Sequence, residues 1–275
     1  MNKKSKILLV AALGALVAAL ALAGCSSGGT SSSSSSSAGK SDAGSYSLVK
    51  EGTLTVGTSP DFPPFENLEG DEYVGFDMDL GKAVAEKMGL AFAPTTIQFD
   101  GIIPAVIAGG QCDIGLSGFS IDPERAQQID FSDAYYVDDQ AVVAMKSSQF
   151  TAENVDTAVN SADVVIAVQS GTTGEDYAKE NFPNATVKPY GNATDCFAAL
   201  QAGEANIVCT NNAVAKNTIA NSYQDAQVIK ADATGEEYAI VVSKDNPELT
   251  KAVNAALAEL QKDGTIDKLT QKYFG

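Results

Sequence analysis

Ser117-Gly118-Phe119-Ser120-Ile121-Asp122-Pro123-Glu124-Arg125 follows a short apolar segment (residues 113–116) and precedes Gln127-Gln128-Ile129-Asp130-Phe131-Ser132. Its first half is small and polar, with hydroxyls at Ser117 and Ser120 and a bare backbone at Gly118. Its second half suits a helix start, with Asp122 able to cap and Pro123 at home in the first helical position. Backbone N–H groups at a helix end, a hydroxyl and a guanidinium are the groups that surround a carboxylate. The same residues would also serve as a capped turn carrying a surface arginine, and the flanking chain decides between the two.

Upstream, residues 54–57 alternate as a strand and run into Thr58-Ser59-Pro60-Asp61-Phe62-Pro63-Pro64-Phe65, a proline-stiffened loop displaying Phe62 and Phe65. Residues 73–76 are extended. Asp77 is read as the cap of a helix reaching Met88, with Leu80, Val84 and Met88 on one face and Gly89 as its stop. A strand at 91–97, a helix at 102–108 and a buried strand at 113–116 follow. Downstream, strands are expected at 141–145, 164–168, 186–189, 207–209 and 237–242. Helices are expected at 153–160, after Gly171, at 194–201, 213–220, 247–262 and 265–274. Strands alternating with helices predict an α/β fold with mainly parallel, doubly wound sheets.

Composition limits the function. With 18 basic and 35 acidic residues the net charge is −17, which disfavours nucleic acid as a partner. Histidine is absent, removing the commonest catalytic base and the usual zinc ligand. At the N-terminus, Lys3, Lys4 and Lys6 precede an apolar run over 7–23 that ends in Leu22-Ala23-Gly24-Cys25, the pattern of a secretory signal. Leu-Ala-Gly-Cys resembles the bacterial lipobox, so residues 1–24 are expected to be removed and Cys25 lipidated. Residues 25–47 are rich in Ser and Gly, with seven consecutive serines at 31–37, and read as a flexible tether. A globular body held just outside a bacterial cell membrane by an N-terminal lipid is the expected arrangement.

Five motifs of the first half, Thr58–Phe65, Gly75-Phe76-Asp77-Met78-Asp79-Leu80, Phe99-Asp100-Gly101-Ile102-Ile103-Pro104, Ser117–Arg125 and Asp130-Phe131-Ser132-Asp133-Ala134-Tyr135-Tyr136, keep the order and spacing of one family. Gln169-Ser170-Gly171-Thr172-Thr173-Gly174 and the terminal segment from Gly264 to Gly275 continue the match. The body, about residues 50–275, resembles the family 3 extracellular solute-binding proteins, the polar amino-acid-binding components of ABC importers. The resemblance implies a two-lobed periplasmic-binding-protein-like fold of type II with two extended crossovers, near 136–141 and 236–241. Lobe 1 is expected to comprise 48–138 plus 239–275, and lobe 2 to comprise 139–238, closing on a ligand by hinge motion. It further implies a monomer without cofactor, metal or catalytic residue, partnered by an amino acid and by the transmembrane subunits of an ABC permease. The lipid is then its only membrane contact.

The resemblance also assigns roles. Phe62 and Phe99 face the ligand's carbon chain; by composition alone each is more often a core residue, and their loop settings favour the cleft. Arg125 binds the carboxylate with Ser120, and Ser117 and Gly118 contact the α-amino group. Thr173 completes the carboxylate site at a helix start, where it is also a plain N-cap. Gln169 and Thr172 tune the side-chain pocket. The chain departs from the family at Asn211, which stands where an aspartate usually pairs with the α-ammonium. It departs again at Ser59, which replaces a second common acid; Asp61 is the candidate to compensate. Polar neutral ligands are therefore favoured over basic ones. Beyond Cys25, the odd set Cys112, Cys196 and Cys209 allows at most one disulfide, and three free thiols are expected. A cyclohexadienyl dehydratase-like enzyme on the same scaffold is the alternative from another class, and it lacks an evident general acid. The ectodomain of a signalling receptor is a third reading.

Overall fold

A computed structural model describes residues 45–275. The signal segment 1–24, Cys25 and nearly all of the tether lie outside the described residues. Tyr46, assigned to the tether by sequence, packs against the first core cluster, and the Ser47 carbonyl accepts from Asn246 Nδ2 at 2.8 Å.

In chain order, β1 (Thr53–Thr58) is followed by β2 (Asp61–Phe62), β3 (Glu66–Glu69) and β4 (Glu72–Val74), a small antiparallel flap. Next come α1 (Phe76–Lys87), β5 (Ala91–Thr96), α2 (Phe99–Ala108), β6 (Ile114–Gly115), α3 (Arg125–Gln128) and β7 (Asp130–Phe131). β8 (Tyr136–Met145) carries the chain into a second sheet, with α4 (Val155–Ala158), β9 (Val165–Gln169), α5 (Thr173–Asn181), β10 (Thr186–Tyr190) and α6 (Ala193–Ala202). β11 (Ile207–Asn211), α7 (Asn212–Asn221) and β12 (Ala226–Tyr238) return it to the first. There β13 (Val241–Val242), α8 (Pro247–Lys262) and α9 (Thr265–Phe274) complete the chain.

Two five-stranded sheets result, in the orders β5-β1-β6-β13-β7 and β10-β9-β11-β8-β12. In each, three neighbouring strands run parallel (β5-β1-β6 and β10-β9-β11), and the strand added beside them is antiparallel. The two crossovers lie side by side, with Tyr136 opposite Tyr238, Val137 opposite Glu237 and Asp138 opposite Glu236. The fold is thus the expected α/β arrangement of two lobes joined by two extended strands.

Aromatic packing ties the first lobe to the crossovers. Phe65, fully buried, lies 5.1 Å from the Tyr136 and Tyr238 rings and 5.2 Å from Phe274. Gly75 makes this possible: its φ is 128°, and a Cβ there would sit 2.2 Å from the Phe65 carbonyl oxygen.

Two local expectations change. Asp77 does not cap α1, whose N-cap is Gly75. The flap carbonyls of Pro64 and Phe65 take the N–H groups of Phe76 and Asp77, at 2.9 Å each, so the Asp77 carboxyl is free to turn inward. The helix expected over 153–160 shrinks to the single turn α4. Asn154 Oδ1 accepts from Thr151 N–H at 2.8 Å and its Nδ2 donates to Gln149, which holds the preceding residues in a turn. All three described cysteines are free and buried. Cys209 packs in one core cluster of the second lobe and Cys196 in another, and burial pushes both thiols up.

Candidate functional site

The site forms where strands of both sheets end and the next segment begins, the usual crevice of open α/β sheets. From the first lobe come Phe62 in β2, Phe99 at the start of α2, Gly118 and Ser120 after β6, and Arg125 opening α3. From the second come Gln169 at the end of β9, Thr172 and Thr173 at the start of α5, and Asn211 closing β11. These nine line one small cavity with about 10 Å³ open to the centre of a water molecule. Residues far apart in sequence are brought together, and every one was singled out above.

Ser117 is the exception. Its hydroxyl donates to Glu66 Oε1 at 2.7 Å and accepts the Ser59 N–H at 3.0 Å, so it supports the loop from behind. Gly118 next to it has φ 57°, and a Cβ would meet the Phe62 ring at 3.1 Å. A side chain at 118 would therefore strain the turn and crowd the cavity wall.

Asp122 caps as expected, its Oδ1 accepting the N–H of Glu124 at 2.8 Å and of Arg125 at 3.0 Å. The guanidinium then lies over the rings of Phe99 and Phe119, at 5.5 and 5.7 Å from their centroids. Nη1 donates to the Ser120 carbonyl and Nη2 to the Gly171 carbonyl, each at 2.9 Å, so Arg125 bridges the lobes. Burial pulls its proton affinity below the ordinary arginine value, against the opposing pull of Asp122, Asp176 and Glu236. In α5 the cap is Thr172, whose hydroxyl accepts the Glu175 N–H at 3.2 Å. Thr173 Oγ1 is left to face the cleft.

What it faces is Glu236, a residue the sequence reading passed over. Glu236 Oε2 accepts from Ser120 Oγ at 2.6 Å, Thr173 Oγ1 at 2.7 Å and Asn211 Nδ2 at 3.3 Å. Oε1 accepts from Gln140 Nε2 at 2.7 Å and Thr234 Oγ1 at 3.3 Å. The ladder between β8 and β12 is irregular between Asp232 and Glu236, with Gly235 at φ 62° and its N–H on Asp139 Oδ1 at 3.0 Å. Strand alternation from buried Tyr238 marks 236 as facing the same way, the signal that would have found it.

Asp61, the acid expected to compensate for Ser59, is committed elsewhere. It accepts from Ser59 Oγ at 2.7 Å and from the Ala193 N–H at the start of α6, and reaches Gln169 Nε2 at 3.3 Å. It therefore joins the lobes beside Gln169, one of the residues that line the cavity. Burial raises its pKa above the ordinary aspartate value, with the hydrogen bonds from Ser59 and Ala193 acting against it.

Beneath the Ser117 loop lie two fully buried acids, Glu66 and Asp77. Asp77 Oδ2 accepts the Gly118 N–H at 2.8 Å and the Tyr135 hydroxyl at 2.9 Å. Glu66 Oε2 and Asp77 Oδ1 have no hydrogen-bond partner, and one proton held by the pair removes the repulsion between two buried carboxylates. Burial raises Asp77 to about 7 and Glu66 well above its ordinary value, helped by the Asp77 charge. In the unfolded chain both titrate near 4, so the native state holds more protons from about pH 4 to 7 and loses stability as pH rises through that window. Asp138, raised to about 6, adds to the same slope. Melting temperature is expected to fall between about pH 5 and pH 8, and Glu66→Gln to make that fall shallower. An unchanged profile in the variant would show that the pair does not share a proton.

Comparison with known proteins supplies the context. Residues 54–275 match the model of the bacterial extracellular solute-binding proteins, family 3. The arginine-binding extracellular protein ArtP of Bacillus subtilis (strain 168) is 33% identical over 240 residues, 86% of this chain and 91% of that protein. An ancestral arginine-binding protein, solved with glutamine and separately with arginine, superposes with TM-score 0.75 at 37% identity, covering 82% of this chain and 99% of that one. The ancestral amino acid-binding protein AncCDT-1, a precursor of cyclohexadienyl dehydratase, gives 0.73 at 36%, covering 82% and 96%.

Proposed function

The chain belongs to the bacterial extracellular solute-binding proteins, family 3, and on that premise we propose that it binds a polar α-amino acid for an ABC importer. The observation that carries the reading is the shared cavity, where Arg125, Ser120 and Thr173 converge beside the rings of Phe62 and Phe99. A guanidinium with adjacent hydroxyls suits a ligand carboxylate, and two rings suit its carbon chain. The names of the relatives, for arginine and for glutamine complexes alike, support an amino-acid ligand. The cavity as it stands is too small for one, so the lobes open about the paired crossovers near 138/139 and 238/239 to admit it. Closure then restores the contacts of Arg125 with Gly171 and of Asp61 with Ala193.

A thermal-shift screen against the twenty common L-amino acids tests the reading. Ligand at about 100 times its dissociation constant adds roughly 2.7 kcal/mol of stability. A melting temperature unmoved by any of them would overturn it. Glu236 is an acid beside the cleft that a dehydratase would need, so incubation with prephenate is the companion experiment, with no turnover expected.

Lipid anchoring at Cys25 completes the proposal and places the protein on the outer face of the cell membrane. Supporting it is the motif Leu22-Ala23-Gly24-Cys25 behind an apolar segment. Cys25→Ser is expected to give an unlipidated or uncleaved product that no longer labels with palmitate. Unchanged labelling would remove the claim.

A further inference from the structure

We infer that Glu236 is the residue that recognises the ligand's α-ammonium, an assignment that rests on the amino-acid reading above. An α-amino acid is a zwitterion whose two charges sit on one carbon, so a site that selects it needs one fixed positive and one fixed negative group close together. Arg125 supplies the first. Glu236 is the acid joined to the same wall: its Oε2 accepts from Ser120 Oγ while Arg125 Nη1 donates to the carbonyl of that same Ser120. Both charges thus converge on one cavity residue.

The surroundings keep this carboxylate aimed. Gln140 and Thr234 hold Oε1, while Oε2 meets three cavity-lining side chains, Ser120, Thr173 and Asn211. All five contacts are neutral donors, and none is a cation. The Ser120 and Thr173 hydroxyls rotate freely, so both can turn to a ligand carboxylate and leave Oε2 open to an ammonium. Asn211 donates its amide to Glu236, which explains a neutral residue at 211. A second carboxylate there would face the first at hydrogen-bonding distance and repel it.

The test pairs each amino acid with the same acid lacking its α-amino group: L-glutamine with 4-carbamoylbutanoate, and L-arginine with 5-guanidinopentanoate. The wild-type protein is expected to favour the amino acid by about tenfold or more. Glu236→Gln is expected to bring that ratio close to one, while Glu236→Asp keeps part of it and so separates charge from packing. Asn211→Asp alone is expected to weaken binding, and to restore part of the ratio when combined with Glu236→Gln. A ratio unchanged in Glu236→Gln, or tighter amino-acid binding in it, overturns the assignment alone; tighter binding would mean that Glu236 competes for the ligand's carboxylate subsite. Wild-type protein silent toward all twenty common amino acids overturns the amino-acid reading and this assignment together.

Discussion

Arg125→Ala is expected to lower amino-acid affinity by roughly 30-fold to several thousand-fold, the result of removing one partner of a desolvated charge pair at about 2–5 kcal/mol. Three things set so large an effect. The guanidinium is half-buried between the lobes, and that burial pulls its proton affinity down. It stacks against Phe99 and Phe119, which fixes the direction of its N–H fork. It also reaches across to Gly171, so the variant loses a contact that holds the lobes together as well as the ligand's charge partner. Arg125→Lys is expected to be poor too, since an ammonium reproduces neither the fork nor the stacking. The fold survives either change, because the Asp122 cap that shapes the turn uses backbone N–H groups. Calorimetry on both variants checks this, and near-native affinity in the alanine variant would show that Arg125 does not hold the ligand's carboxylate.

Phe65→Ala carries the largest expected cost in stability. The ring is fully buried and stands within 6.2 Å of Phe62, Phe76, Tyr136, Tyr238 and Phe274. It therefore joins the flap, α1, both crossovers and the C-terminal helix in one cluster. Truncating such a residue costs about 3–5 kcal/mol, in lost transfer energy and in the cavity left behind. For a chain of this size each kcal/mol shifts the melting temperature by about 2–4 °C, so a fall of roughly 6–20 °C is expected. Thermal unfolding followed by circular dichroism checks it, and a fall of only a degree or two would show that the cluster collapses into the space.

The contrast between these residues shows what a sequence discloses. Asp122, Gly118 and Arg125 stood out because a cap, a turn and the guanidinium beside them are written within a few residues, whereas Thr173 was singled out through the family resemblance and the cap of its helix is Thr172. The alternation of strands and helices likewise predicted the main α/β order, though not the start of β12 at Ala226, and α8 and α9 fall at their expected bounds. Glu236 was hidden because a ladder irregularity sits just before it and its cavity-lining partners Ser120, Thr173 and Asn211 are between 25 and 116 residues away. Asp77 looked like a helix cap because nothing in its neighbourhood reveals that Pro64 and Phe65 carbonyls take over that task. The engagement of the Ser117 hydroxyl was hidden for the same reason, since its pull toward Glu66 is set by a buried acid 51 residues upstream. Local chemistry is read directly, whereas competition among distant partners for one polar group is not.

The most direct measurement is calorimetric titration of the wild-type protein with the amino acid that raises its melting temperature most, and with the methyl ester of that amino acid. A carboxylate held by Arg125, Ser120 and Thr173 predicts one saturable site per chain for the free acid and little or no heat for the ester. Equal binding of acid and ester, or no binding of either, would contradict the account.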